Sequence, residues 1–282
     1  MGIRTDLAIE LEKQHNFGIE GIKKTEKDNN DVHVTEIEIL TETAALKIGK
    51  PVGKYITLEF PSIEKINSDE EIREELIKAL KTLCPQQTEN ILIVGLGNDE
   101  ITADSIGPKT ARQILATRHI VGEFAEKIGL RGLKSTSVLV PNVLGKTGLE
   151  VSEIIEGIIK NTKPQAAIII DALSASSVNL VFKTIQLCDT GITPGSGVKN
   201  ARKALNSQTL GIPVIAVGVP TVVDVLTLAF EITENIPKND TDMIVTPKDA
   251  DLLSDRISEI LSGGINIFLQ PEIEPDIIFS LV

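Results

Sequence analysis

Ile91-Leu92-Ile93-Val94-Gly95-Leu96-Gly97-Asn98, with the run Asp104-Ser105-Ile106-Gly107-Pro108 that follows it, decides how the chain is read. Four apolar residues in succession predict a strand buried on both faces, and the glycines after them let the backbone turn sharply where that strand ends. A helix is expected to begin near Pro108 and to run to about residue 119. In an open α/β sheet the carboxyl ends of the strands form the ligand-binding edge, which places Asp104 on a functional loop. Ala166-Ala167-Ile168-Ile169-Ile170-Asp171 is a second buried-strand run ending in an acid, so it brings another carboxylate to the same rim.

Working outward, Asp31 to Leu40 and Lys54 to Phe60 read as strands, the first with a phase change at Thr35-Glu36 that predicts a bulge. Ser68 with Glu71 forms a capping box, after which Ile72, Leu76, Leu80 and Leu83 make the apolar stripe of a helix that Pro85 ends. Strands at 91–95, 136–140 and 166–170 then alternate with helices, one of them opened by Thr147 and Glu150. Residues 179–187 read as a strand with no long helix before it, which makes the sheet mixed there. A strand from Pro213 to Val219 is expected to enter a helix at Thr221, whose hydroxyl would cap it. Thr246-Pro247 opens a last helix, and Gly263-Gly264 closes it. The fold class is therefore α/β, a doubly wound, mostly parallel but mixed sheet flanked by helices. Residues 31–60 add extra strands at its N-terminal end, and residues 1–282 read as a single domain. The polar stretch up to Asn30 carries little packing signal and reads as a mobile terminus.

Composition narrows the function classes. With 41% hydrophobic and 24% charged residues the chain is an ordinary globular protein. It has one Tyr, seven Phe and no Trp, and a formal charge of -12, so neither base stacking nor attraction to phosphate favours a direct nucleic-acid partner. Cys84 and Cys188 show no pairing or metal-ligand spacing, which reads as a reducing, cytoplasmic compartment. Charges interrupt every long apolar run, and no membrane span is expected.

Several familiar motifs fail on spacing. Gly95-Leu96-Gly97 would need its third glycine at position 100, where Glu100 would repel a pyrophosphate. Gly145-Lys146-Thr147 lacks the first glycine of a P-loop, since Val140 stands there. Ser196 lies between glycines without nucleophile-elbow spacing, and Cys188 reads as a buried small apolar residue. His15, His33 and His119 are scattered, so no metal site and no cofactor is expected. The basic cluster Lys199, Arg202 and Lys203 reads first as a solvated surface and second as a receiver of acidic side chains.

The carboxylate pair remains. Two close acids cannot both ionise cheaply, so one holds a proton while the other stays a base, an arrangement suited to activating water against an amide. The alternative is structural: Asp104 would cap the following helix and Asp171 would make turn hydrogen bonds. Spacing alone leaves the two open.

A resemblance bears on the choice. Ile93-Val94-Gly95-Leu96-Gly97-Asn98, Asp104-Ser105-Ile106-Gly107-Pro108, Thr117-Arg118-His119, Ile170-Asp171-Ala172-Leu173, Asp189-Thr190-Gly191-Ile192, Pro194-Gly195-Ser196-Gly197-Val198, Pro213 to Asp224 and Val245-Thr246-Pro247-Lys248 resemble, in order, the germination proteases of bacterial spores. The resemblance implies an atypical aspartic endopeptidase that cleaves small acid-soluble spore proteins, with its two catalytic aspartates at Asp104 and Asp171. It further implies a homotetramer in the spore core, made as a zymogen. Thr5-Asp6-Leu7-Ala8-Ile9-Glu10 is similar to the family's cleavage sequence, so residues 1–6 are expected to be a propeptide removed between Asp6 and Leu7. The backbone at Gly97 and Asn98 is expected to supply oxyanion donors, and the loop Gly195-Ser196-Gly197 to line the cleft. Where the family often has histidine, Thr193 stands here, and a short connection between Asp224 and Val245 replaces a usual long insertion. A more distant likeness is to hydrogenase maturation endopeptidases. Two alternatives follow: a metal-dependent processing peptidase of that type, and a non-catalytic binding protein on the same scaffold.

Overall fold

Ile91 and Ile93 face one apolar core while Leu92 and Val94 face a second, so the strand they form is covered on both sides. The same division runs through Ile168 and Ile170 on one face and Ala167 and Ile169 on the other. The protein is described by a computed structural model at residues 5–14, 19–62, 69–120, 132–195, 202–233 and 243–281.

Among these residues the strands are β1 (Ile22–Asn29), β2 (Val32–Ile39), β3 (Gly53–Glu59), β4 (Asn90–Gly95), β5 (Ser135–Leu139), β6 (Ala166–Ala175), β7 (Thr184–Cys188), β8 (Val214–Asp224) and β9 (Ile244–Val245). The helices are α1 (Ala8–Gln14), α2 (Glu42–Ile48), α3 (Asp69–Leu83), α4 (Ile106–Arg112), α5 (Leu144–Thr147), α6 (Val151–Thr162), α7 (Ser207–Leu210), α8 (Val225–Thr233), α9 (Ala250–Leu269) and α10 (Pro275–Leu281). One mixed sheet runs in the order β1-β2-β3-β7-β8-β6-β4-β5, with β9 on β8. Its core, β8-β6-β4-β5, is parallel, and the strands from β1 to β7 extend it in antiparallel fashion. The chain leaves β4 for β5 on one side and returns to β6 on the other, so the topological switch lies between the ends of β4 and β6.

Several elements depart from the expectations in instructive ways. Asp31 to Leu40 carries no bulge, because β2 keeps unbroken register with both neighbours. Residues 22–29 form an edge strand; their alternating lysines and acids gave no packing signal, yet charge on an edge is what discourages sheet-to-sheet association. Residues 7–14 are also ordered, with Leu7, Ala8 and Ile9 buried in the main core. Helix α4 stops at Arg112 instead of reaching residue 119. Asn266 of α9 takes over at that point, accepting from the Leu115 amide and donating to the Gln113 carbonyl.

Strand β8 continues through Thr221 instead of yielding to a helix there, held by β6 across a bulge at Leu173/Ser174. The Thr221 hydroxyl donates to Ala103 O, and the helix waits for Asp224, which accepts from the Leu226 and Thr227 amides. Helix α9 starts at Ala250 and runs through Gly263-Gly264. A Cβ on Gly264 would lie 2.7 Å from Leu76 Cδ2, so this glycine serves close packing against α3 instead of ending the helix. Thr147 closes the short α5, and Glu150 with Glu153 forms the capping box of α6. The stripe Ile72, Leu76, Leu80 and Leu83 is buried as expected, while Ser68 lies outside the described residues.

Candidate active site

Gly97 ends the turn after β4 with φ +114°, a left-handed conformation that favours glycine. A Cβ there would fall 2.1 Å from Asp104 O and 2.9 Å from its Oδ1, so the glycine lets the chain fold onto Asp104. The Asn98 amide donates to Asp104 O at 3.0 Å and to its Oδ2 at 2.9 Å. That N–H is thus engaged by the acid and aims Asp104. Nor does Asp104 cap α4, whose N-cap residue, Ser105, makes no side-chain capping bond.

Gly107 sets the other wall. A Cβ on it would meet Leu96 O at 2.1 Å and Ile170 O at 2.5 Å, so α4 rests directly on the exits of β4 and β6. Asp171 lies one residue beyond Ile170 within β6, 6% exposed, and its Oδ1 accepts from the Ala172 amide at 2.9 Å. Asp104 and Asp171 line one cleft of about 300 Å³, together with Asp6, Gly97, Pro194, Gly195, Arg202 and others. Ser196, Gly197 and Lys199 lie outside the described residues. Of the other basic residues, Arg202 reaches Glu150 at 3.7 Å and Lys203 reaches Glu156 at 2.6 Å.

The electrostatics separate the two acids. Burial pushes the Asp104 carboxyl up to about 6, against which the Asn98 amide pulls down. Asp171 is pushed well above the usual carboxylate range by burial first, then by the charge of Asp104, with Asp6 adding to it and the Ala172 amide opposing. Each folded-state value is raised, so each group binds protons more tightly folded than unfolded. The folding free energy they contribute is present below the ordinary carboxylate range and is lost as pH rises through their folded values. This cost falls on two groups in one cleft, which makes that cleft the candidate functional site.

The residues expected at the cleavage sequence occupy the same place. Asp6 lines the cleft of Asp104 and Asp171, and it also lines an adjoining cavity of about 240 Å³ with Lys50, Gln186 and Gly218. Its amide donates to Ser174 O at 2.8 Å, and its Oδ2 accepts from the Ser174 amide at 2.9 Å. Leu7 is fully buried, and the Glu10 carboxylate accepts from the Ser176 and Ser177 amides. No local pattern singles out Lys50. Gln186 left one sign, a polar residue inside the buried run Ile185-Gln186-Leu187.

His33 pairs with Asp28 and His119 is exposed beyond the end of α4, both away from the cleft. Cys84 and Cys188 are buried free thiols. Among the described residues no group of three or more His, Cys, Asp and Glu is placed to hold a metal ion, and no helix is long and apolar enough to cross a membrane.

Comparison with known proteins places these residues in context. The sequence profile of the germination protease family matches residues 4–239. The germination protease of Clostridium acetobutylicum is 38% identical, covering 96% of this chain and 96% of its own. That of Clostridium tetani is 39% identical over 97% of each chain, and that of Bacillus velezensis is 42% identical over 84% of this chain and 67% of its own. Among solved structures, the [NiFe] hydrogenase maturation protease HycI from Thermococcus kodakarensis is similar at a TM-score of 0.39 and 16% identity, over 69% of this chain and 98% of that one. That likeness is too loose to transfer chemistry.

Proposed function

Since this chain belongs to the germination protease family and is a peptidase, we propose that Asp104 and Asp171 are the pair that hydrolyses its peptide substrates, with Asp104 as base and Asp171 as acid. The observation that carries the reading is that two carboxyl groups at the switch point share one cleft, with both proton affinities raised and Asp171 the more enclosed. Asp104, raised only to about 6, is the readier of the two to ionise, and Asp171, pushed well above the usual carboxylate range, is the readier to hold a proton. Asp104 takes a proton from a water molecule as the water oxygen attacks the peptide carbonyl carbon. Asp171 gives its proton to the leaving nitrogen as the C–N bond breaks; the new carboxyl group then returns a proton to Asp171 and Asp104 passes its own to the amine, leaving a carboxylate, an ammonium and the pair in its starting state.

The substrates in this reading are small acid-soluble spore proteins, and the enzyme acts in the spore core as a homotetramer. The first substrate is the chain itself. Asp6 lies at the cleft because Ser174 pairs with it and the Ser176/Ser177 amides hold Glu10, so in this reading the last residue of the propeptide 1–6 is seated at the site that removes it. Mass spectrometry of protein matured at about pH 7 checks this. The expected product begins at Leu7; active enzyme with an uncut Asp6-Leu7 bond would overturn self-processing. The chelator-sensitive alternative predicts loss of cleavage with a strong metal chelator, whereas the carboxylate pair predicts full activity.

A further inference from the structure

Asp171, Gly218 and Gln186 form one row across β6, β8 and β7, being successive register partners, so their side-chain positions share a face of the sheet. The middle position carries no side chain. Asp171 and Gln186 therefore stand two strand spacings apart, about 10 Å, and the Leu173 side chain fills the space over the glycine, where a Cβ would lie 2.4 Å from Leu173 Cδ1. Asp6 borders both sides of Leu173: it lines the cavity that contains Gln186 and Gly218 as well as the cleft that contains Asp171.

Two side chains converge on the Asp6 carbonyl oxygen. Lys50 Nζ donates to it at 2.9 Å and Gln186 Nε2 at 3.1 Å. Gln186 cannot turn its amide round without loss, because its Oε1 accepts from the Ala8 amide at 2.6 Å. Gln186 thus brackets the Asp6-Leu7 bond, holding the carbonyl before it and the second amide after it. Lys50 is fixed from behind: Gly49 closes α2 in a left-handed turn, and the Lys50 amide donates to Ala45 O. A carbonyl oxygen has two lone pairs, and here a donor is aimed at each. Two donors, one of them an ammonium, match the negative charge that the same oxygen acquires when water adds to its carbon.

We propose that Lys50 and Gln186 are the oxyanion-binding pair of this peptidase, gripping the carbonyl of the scissile peptide from the side opposite the two aspartates. The assignment rests on the reading of Asp6-Leu7 as a bond this site cleaves. It moves the oxyanion site from the Gly97-Asn98 turn, whose Asn98 amide is occupied by Asp104, to the antiparallel half of the sheet. It also explains why a polar residue interrupts the buried β7: Gln186 is 6% exposed and spends all its named hydrogen bonds on residues 6 and 8.

The test is kinetic, with Lys50→Met, Gln186→Leu and Lys50→Arg acting on a synthetic peptide of the sequence around Asp6-Leu7. Loss of one donor is expected to lower kcat by about 10²–10³ with KM changed less than about threefold, because the contact strengthens in the transition state. Lys50→Arg, which keeps the charge, is expected to recover part of the loss. Unchanged kcat, or a rise in KM alone, would overturn the assignment.

A second readout needs no turnover. Asp-Leu occurs twice in the sequence, at Asp6-Leu7 and Asp251-Leu252, so labelling Asp with carbonyl ¹³C and Leu with ¹⁵N isolates two signals in the uncleaved Asp104→Asn protein. Lys50→Met is expected to move the Asp6 carbonyl upfield and leave Asp251 in place. If the wild-type enzyme fails to cut the peptide, the reading of this bond falls, and an Asp6 carbonyl indifferent to Lys50→Met would then remove the clamp as well.

Discussion

Asp104→Asn and Asp171→Asn are each expected to lower peptide cleavage by at least about a thousandfold, with the double variant no worse than either alone. In the proposed mechanism the two groups act as one unit. Asparagine at 104 cannot take a proton from water, and asparagine at 171 has no acidic proton matched to a leaving amine. The geometry survives both changes: an Asn oxygen can still accept from the Asn98 amide at 104 and from the Ala172 amide at 171. Folding is therefore not the source of the loss. Removing a buried carboxyl with a raised proton affinity should hold or raise stability at neutral pH, with the gain fading below about pH 4. Circular dichroism with peptide kinetics checks this. Full cleavage by either variant would exclude the paired mechanism, and failure of the wild type against all peptides would favour a binding protein.

Gly107→Ala is expected to destabilise the fold by about 3 kcal/mol and to reduce cleavage more than tenfold. Alanine is the better helix former by about 1 kcal/mol, so propensity alone points the other way. Space decides the sign. The new methyl would overlap Leu96 O, Leu96 N and Ile170 O, all backbone atoms of the strands that deliver the two acids, and none can swing aside as a side-chain end would. Either α4 lifts off the sheet or β4 and β6 part, and both outcomes move Asp104 relative to Asp171. Gly157→Ala in α6 is the control: nothing lies within 4 Å of its added Cβ, and it should be neutral or slightly stabilising. Urea midpoints at unchanged m-value read the difference, and a loss below about 1 kcal/mol at Gly107 would contradict the packing argument.

The parts of the proposed site carried by the parallel core were legible in the sequence, and the parts carried by the antiparallel half were not. Ile91 to Val94 and Ala166 to Ile170 are apolar on consecutive positions because both faces are covered, and a carboxylate placed just after such a run has few places to be. Gly97 and Gly107 mark the tight turn beside them. Lys50 follows a short helix whose sequence, Glu42 to Ile48, is too brief for its periodicity to register, although the Thr41 cap and the Gly49 turn define it once seen. Its reach to Asp6 spans 44 positions and depends on β3 pairing with β7, which no local pattern encodes. Thr221 and Gly263-Gly264 misled for a shared reason. A hydroxyl or a glycine pair has the same composition whether it ends an element or packs one against another, and only the neighbouring strand or helix decides.

The protonation of the pair is where the account is most exposed. Carboxyl ¹³C signals of aspartate, followed from pH 4 to pH 10 and assigned by Asp104→Asn and Asp171→Asn, report each group directly. Asp104 is expected to titrate near pH 6 and Asp171 at a higher pH than Asp104, and Asp104→Asn is expected to lower the Asp171 transition by removing the neighbouring charge. The rising limb of kcat/KM should follow the Asp104 transition. Two aspartates that both titrate near pH 4, each indifferent to loss of the other, would contradict it.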